Sequence, residues 1–94
     1  MKISFNMRGS QPQDTLIQEV EGQSVLINLK SECYFGLDDV GTFMWKTLTT
    51  STSIQAAYEA LLAEYDVGSE QLRQDVQDFA EKLIDRGLLE VNGG

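Results

Sequence analysis

Hydrophobic positions change their period once along the chain, near Leu37, from two to about 3.6, which predicts strands before that point and helices after it. Ile3, Phe5 and Met7 alternate with Lys2, Ser4, Asn6 and Arg8, predicting a short N-terminal strand ahead of a Gly9 to Asp14 loop that contains Pro12. Thr15 to Val20 and Ser24 to Leu29 are two β-rich runs joined by Glu21-Gly22-Gln23, whose glycine suits a tight hairpin. A second turn, Lys30-Ser31-Glu32, leads into Cys33-Tyr34-Phe35-Gly36-Leu37, a strand with two aromatics and a glycine. The predicted product is an antiparallel meander.

The helices follow at once. Asp38 is placed to cap the first, in which Val40, Phe43, Met44, Thr47 and Leu48 recur at helical spacing while Trp45 falls off that stripe. A helix apolar on more than one side belongs in the middle of a fold, so this one is expected beneath the sheet and against both later helices. Thr52 with Gln55 reads as a capping box for the second helix, whose apolar face runs through Ile54, Ala57, Tyr58, Leu61, Leu62 and Tyr65. Asp66-Val67-Gly68 separates it from a third, with Ser69 as the expected cap and Leu72, Val76, Phe79 and Leu83 as its stripe. Gly87 can end that helix in a left-handed conformation with Leu88 folded back on Leu83, and Leu88 to Val91 can add a tail strand.

At 94 residues the chain is expected to form a single domain over 1–94, with 1–14 as an additional strand and loop. It is 41% hydrophobic and 23% charged, the composition of a globular fold. A chain of this size cannot bury both a stabilising core and a deep catalytic cavity, which favours binding on a surface groove. Seven Lys and Arg against 15 Asp and Glu leave a formal charge of -8, which disfavours nucleic acid and anionic membrane as partners. One cysteine allows no internal disulfide, no apolar run is long enough to span a bilayer, and the N-terminus lacks the apolar stretch of a secretory signal. The expected compartment is the cytoplasm.

Catalytic chemistry has few carriers. Without histidine and with one cysteine, the chain lacks the usual zinc sets and any Ser-His or Cys-His nucleophile pair, so no metal, no cofactor and no enzymatic activity are expected. Asp75, Asp78, Glu81 and Asp85 lie on a helix whose other side must be core, which makes them solvated surface. Gly36 and Gly41 lack the spacing of a phosphate-binding loop. No basic residue within its own strand would activate the Cys33 thiol, so it reads as a half-buried packing residue.

Several segments in order carry a resemblance: Ser24-Val25-Leu26-Ile27-Asn28-Leu29, then Tyr34-Phe35-Gly36-Leu37-Asp38-Asp39-Val40-Gly41, Trp45, Asp75-Val76, and Arg86-Gly87-Leu88-Leu89. Together they resemble the PqqD-like family of RiPP recognition elements over about Thr15 to Val91, and among these the small stand-alone members of lasso-peptide clusters. The resemblance implies an α+β, winged-helix-like fold, a three-stranded antiparallel sheet followed by three helices. It also implies a peptide chaperone: a non-catalytic adaptor that binds the leader of a ribosomally made precursor and delivers it to a separate maturation enzyme, such as a leader peptidase, a cyclase or a radical enzyme. A PqqD-type role in pyrroloquinoline quinone biosynthesis is the alternative within the family.

The residues supply a reason for such a site, because the last strand of a meander lies at a sheet edge with N–H and C=O groups open to an extended peptide. Family resemblance places the accompanying pocket between that strand and the third helix: Cys33, Tyr34, Phe35 and Gly36 opposite Val76, Phe79, Ala80 and Leu83; Asp75, Asp78 and Lys82 could form its polar rim. Val76, Phe79 and Leu83 are explained as well by core spacing, whereas Tyr34 alternates with Cys33 and Phe35, so one of those two sets must face outward. The N-terminal run could cover the same edge, within the chain or in a weak homodimer. A winged-helix DNA-binding regulator is the rival from another class, but from Glu70 to Arg86 three basic residues face five acidic ones, the wrong sign for a groove-reading helix.

Overall fold

The computed structural model describes residues 3–93, so Met1 and Lys2 of the expected N-terminal strand lie outside the described residues. Its elements are β1 (Arg8–Ser10), β2 (Thr15–Val20), β3 (Gln23–Asn28), β4 (Cys33–Leu37), α1 (Asp39–Thr50), α2 (Ile54–Glu64), α3 (Ser69–Asp85) and β5 (Glu90–Asn92). Strands β2, β3 and β4 form the expected antiparallel meander, in the register Leu16↔Ile27↔Tyr34 and Ile17↔Leu26↔Phe35. Glu21 and Gly22 both take positive φ, 53° and 84°, so the first hairpin turns on these two residues and closes on the Val20↔Gln23 pair.

The N-terminal segment departs from expectation. Residues 3–7 are not a strand: a bond from the Met7 N–H to the Ser4 carbonyl (3.0 Å) bends the chain, and the strand is β1, paired with β5 rather than with β4. The alternation of Ile3 and Phe5 reflects side chains buried in the core. Meanwhile the Met7 and Phe5 carbonyls accept the Ile54 and Gln55 N–H groups at 2.8 Å, satisfying orphan donors at the start of α2. The tail strand exists two residues later than its expected start, as β5.

Helix α1 is capped by Asp38, whose carboxylate accepts the Gly41 N–H at 2.7 Å. It packs against β3, β4, β1 and α2. Its buried face differs from the expected stripe: Trp45 is 1% exposed, while Val40 and Phe43 stand at 44% and 38%. The helix is rotated because Thr42 can be buried, its hydroxyl being hydrogen-bonded to that of Ser24 at 2.7 Å, and a Thr42-Met44-Trp45-Leu48 face is invisible when only apolar residues are counted. Two caps also shift. Ser53, not Thr52, caps α2 through the Ala56 N–H (3.0 Å), and Gly68 precedes α3 without a side-chain cap; Ser69 is already helical, and its carbonyl accepts the Tyr58 hydroxyl. The end of α3 is as expected: Gly87 has φ 70°, and the Leu88 and Gly87 N–H groups return to the Leu83 and Ile84 carbonyls.

Candidate functional site: the β4 edge and the flank of α3

Strand β4 pairs with β3 on one side and with no strand on the other among the described residues. Hydrogen-bond parity fixes which of its groups face out. A two-residue hairpin closes on a hydrogen-bonded pair, so Gln23, Val25 and Ile27 direct their N–H and C=O groups to β2, as the bond from Leu29 N–H to Asp14 C=O at the next position of that series confirms. Ser24, Leu26 and Asn28 then direct theirs to β4, where they meet Leu37, Phe35 and Cys33. The backbone groups left facing away are those of Tyr34 and Gly36, two N–H and two C=O, and none of them bonds to another part of the described chain. The edge therefore offers a ladder segment of four hydrogen bonds.

Side chains alternate across the same strand. Leu37 and, in part, Phe35 face the core with Leu26, while Tyr34 is 71% exposed on the outer face beside Ile27. Cys33 is exposed and free, not the half-buried packing residue expected, because it stands at the first position of the strand, beyond the core-facing Phe35 and Leu37. The strand's start is held by Asn28, whose Oδ1 accepts the Lys30 and Ser31 N–H groups (2.9 and 3.0 Å) and whose Nδ2 donates to the Gly87 carbonyl at 2.8 Å. Thr15 adds a longer bond to the same carbonyl, 3.3 Å, so the end of α3 is tied to the sheet.

Helix α3 reaches β4 at its C-terminal end, through its C-cap residue Arg86. Asp75, Phe79, Lys82 and Arg86 step by four, three and four residues, and the Arg86 guanidinium lies 5.0 Å over the Phe35 ring. Phe79 is half-buried; Asp75 and Lys82 are exposed. Val76, Ala80 and Leu83 are 0% exposed and belong to the core cluster, so they give no surface to a ligand, contrary to the expectation that they line the pocket. Sequence reasoning missed Arg86 and Asn28. Arg86 was legible as the next step of the Phe79-Lys82 flank; Asn28 showed itself only as a polar residue ending an apolar strand.

The Tyr65 hydroxyl is held above its ordinary pKa, first by burial and then by the carboxylates of Asp39, Glu64 and Asp38, which marks an acidic patch where β4 passes into α1. Among the described residues no group of three or more His, Cys, Asp or Glu could hold a metal ion, and no helix is long and apolar enough to cross a membrane. What the arrangement can do is bind an extended chain.

The sequence profile of Coenzyme PQQ synthesis protein D (PqqD) matches residues 23–89, from the start of β3 to just beyond α3. The chain belongs to the PqqD family. This PqqD-family protein is similar in structure to TbiB1, solved in complex with the TbiA(beta) leader peptide. The TM-score is 0.80 with 30% identity, over 86% of this chain and 94% of that one. It also shares the fold of a lasso peptide synthetase B1 complexed with its leader peptide, at a TM-score of 0.78 and 18% identity, over 88% of this chain and 98% of that one. No curated protein sequence matches the chain.

Proposed function

We propose that this protein binds the leader segment of a ribosomally synthesised precursor peptide as a strand added to β4, and delivers it in the cytoplasm, without catalysing a reaction itself, to a separate maturation enzyme of lasso-peptide biosynthesis. The observation that carries the reading is the unpaired edge at Tyr34 and Gly36, in a chain 30% identical to a protein solved with a leader peptide. Cys33, Tyr34, Phe35 and Gly36 supply the edge; Asp75, Phe79 and Lys82, joined by Arg86, supply the flank of α3 that leads toward it.

The magnitudes explain why both parts are needed. Four backbone hydrogen bonds at about 0.5 to 1.5 kcal/mol each contribute a few kcal/mol, which must offset the ordering of a flexible leader. Two leader side chains buried against Phe35 and Phe79, at roughly 1.5 to 3 kcal/mol apiece, bring the sum to a micromolar affinity or tighter. Selectivity then resides in side-chain contacts, and the backbone fixes direction and register.

The test is a titration of isotope-labelled protein with the leader of the precursor encoded beside this gene. Amide signals of residues 33–37 and of the Phe79-Arg86 flank are expected to move together and to saturate. If residues 33–37 stay unmoved at saturating peptide, strand addition is wrong. The genes beside it separate the two family roles: a protease and a cyclase accompany lasso-peptide assembly, a radical-type oxidase the quinone cofactor.

A further inference from the structure

Gly36 is a glycine that the chain itself does not require. Gly22 and Gly87 take positive φ, and a Cβ on Gly41 would press on Leu37 and Asp38 at 3.2 and 3.3 Å. Gly36 has no such φ, and a Cβ built there would meet nothing within 4 Å. A glycine in the interior of a strand costs conformational entropy and forfeits packing, and where the backbone does not need it, the vacant side is commonly where another chain comes close.

The vacancy is on the outer face of the sheet. Gly36 pairs with Val25, and Gln18 follows on β2, so the missing side chain opens a depression of about 540 Å³ with Val25 and Val20 as apolar floor and Gln18, Glu21 and Asp38 among its polar lining. It is continuous with the β4 edge, and the backbone groups that Gly36 turns outward are those an added strand would bond. In an antiparallel ladder the residue bonded to Gly36 places its side chain on this same face, directly beside the depression.

We propose that this depression is a second side-chain subsite, on the face of the sheet opposite α3, and that it takes an aromatic residue of the strand added at β4. The inference rests on the strand-addition reading above and deepens it. An aromatic ring laid across a strand glycine covers exposed backbone that the glycine leaves bare. Tyr or Trp fits best, since the ring would lie on Val25 and Val20 while its O–H or N–H meets the oxygens of Gln18, Glu21 or Asp38. A lysine or arginine is the poorer occupant, because an ion pair at so open a site contributes little.

The experiment is a selection of random peptides from a display library against the wild-type protein, Gly36→Ala and Gly36→Val, with each winning peptide titrated against labelled wild-type protein. Peptides that shift the 33–37 amides should share an aromatic residue at one fixed position. Replacing that residue by alanine should weaken binding to the wild type about tenfold, a difference of about 1.4 kcal/mol, and have little further effect in Gly36→Val, where the valine already fills the space. Gly36→Ala should fall between and guards against a valine that disturbs the strand. Equal affinity of the winning peptides for wild type and both variants, or a basic residue at the fixed position, overturns the subsite while strand addition stands. Peptides that bind without moving the 33–37 amides overturn both.

Discussion

The meander has two outer strands, and they meet solvent differently. On β2 the outward backbone groups are those of Thr15, Ile17 and Glu19, by the parity that leaves Tyr34 and Gly36 outward on β4. At Thr15 both are already taken: its N–H donates to the Pro12 carbonyl at 3.1 Å, and its C=O accepts the Gln11 amide at 2.7 Å. At the other end Glu19 is ion-paired to Lys46 of α1. A loop and a charge thus blunt β2, both familiar defences against unwanted pairing. Strand β4 has neither, since Cys33-Tyr34-Phe35-Gly36-Leu37 contains no charged residue and its four outward groups are unspent. The difference teaches that an open edge alone does not define a docking site. Within the meander the site is the edge left unblocked and uncharged, and blunting β2 biases an incoming strand toward β4.

The sharpest way to break the comparison is to close β4 as β2 is closed. Tyr34→Pro removes an outward N–H without touching the ladder to β3, because proline is tolerated where the N–H faces away from the sheet. Leader affinity should fall about a hundredfold through the lost bond, the lost ring and the proline ring in the path of the strand, while the melting temperature moves by only a few degrees. Calorimetric titration and thermal melting together check it. Retained affinity would mean that the leader does not use this edge.

Next in size is the tie that holds the edge in place. Asn28→Ala deletes the bond to Gly87 and leaves the Lys30 and Ser31 N–H groups without their acceptor, a loss of about 2 kcal/mol that should lower the melting temperature by roughly 10 °C. A loss below about 0.5 kcal/mol, by denaturant titration, would show that the turn holds β4 without it. Tyr34→Ala should be milder: about tenfold weaker leader binding with an unchanged circular dichroism spectrum and melt, because a side chain 71% exposed contributes little to the fold. Full affinity in that variant would remove Tyr34 from the site.

How much of this was legible in sequence follows from where each signal resides. The meander, the three helices and the end of α3 are local events, written in period, turn residues and a single glycine, and they were readable. The N-terminal run was misread because alternation tells that Ile3 and Phe5 are buried but not that their carbonyls would serve α2 rather than a strand. The first helix was misread by rotation because a buried threonine with a distant hydroxyl partner looks polar in one dimension. For the site, the edge strand and Tyr34 were accessible from strand order and alternation. Which stripe of α3 leads toward β4 was not: those through Val76 and through Phe79 are adjacent on one helix, and only the placement of Arg86 over Phe35 tells them apart.

The smallest expected effect comes from reopening the other edge. Glu19→Val removes the ion pair with Lys46 and puts a β-branched residue in its place, at a cost in stability below about 1 kcal/mol because the pair is exposed. Ile17 and residue 19 would then present uncharged outward groups, while Thr15 stays blocked by Gln11 and Pro12. Pairing of two such edges would draw on the two N–H and two C=O groups of Ile17 and residue 19, and the net negative charge of each copy, the wild-type -8 less the one carboxylate removed, opposes it. Self-association should therefore be weak, visible by sedimentation only at high concentration and strengthened by salt, with leader affinity at β4 unchanged. A variant that stays monomeric throughout would locate the protection of β2 in the Gln11-Pro12 loop instead of the charge, and Gln11→Ala added to Glu19→Val should then bring the association out.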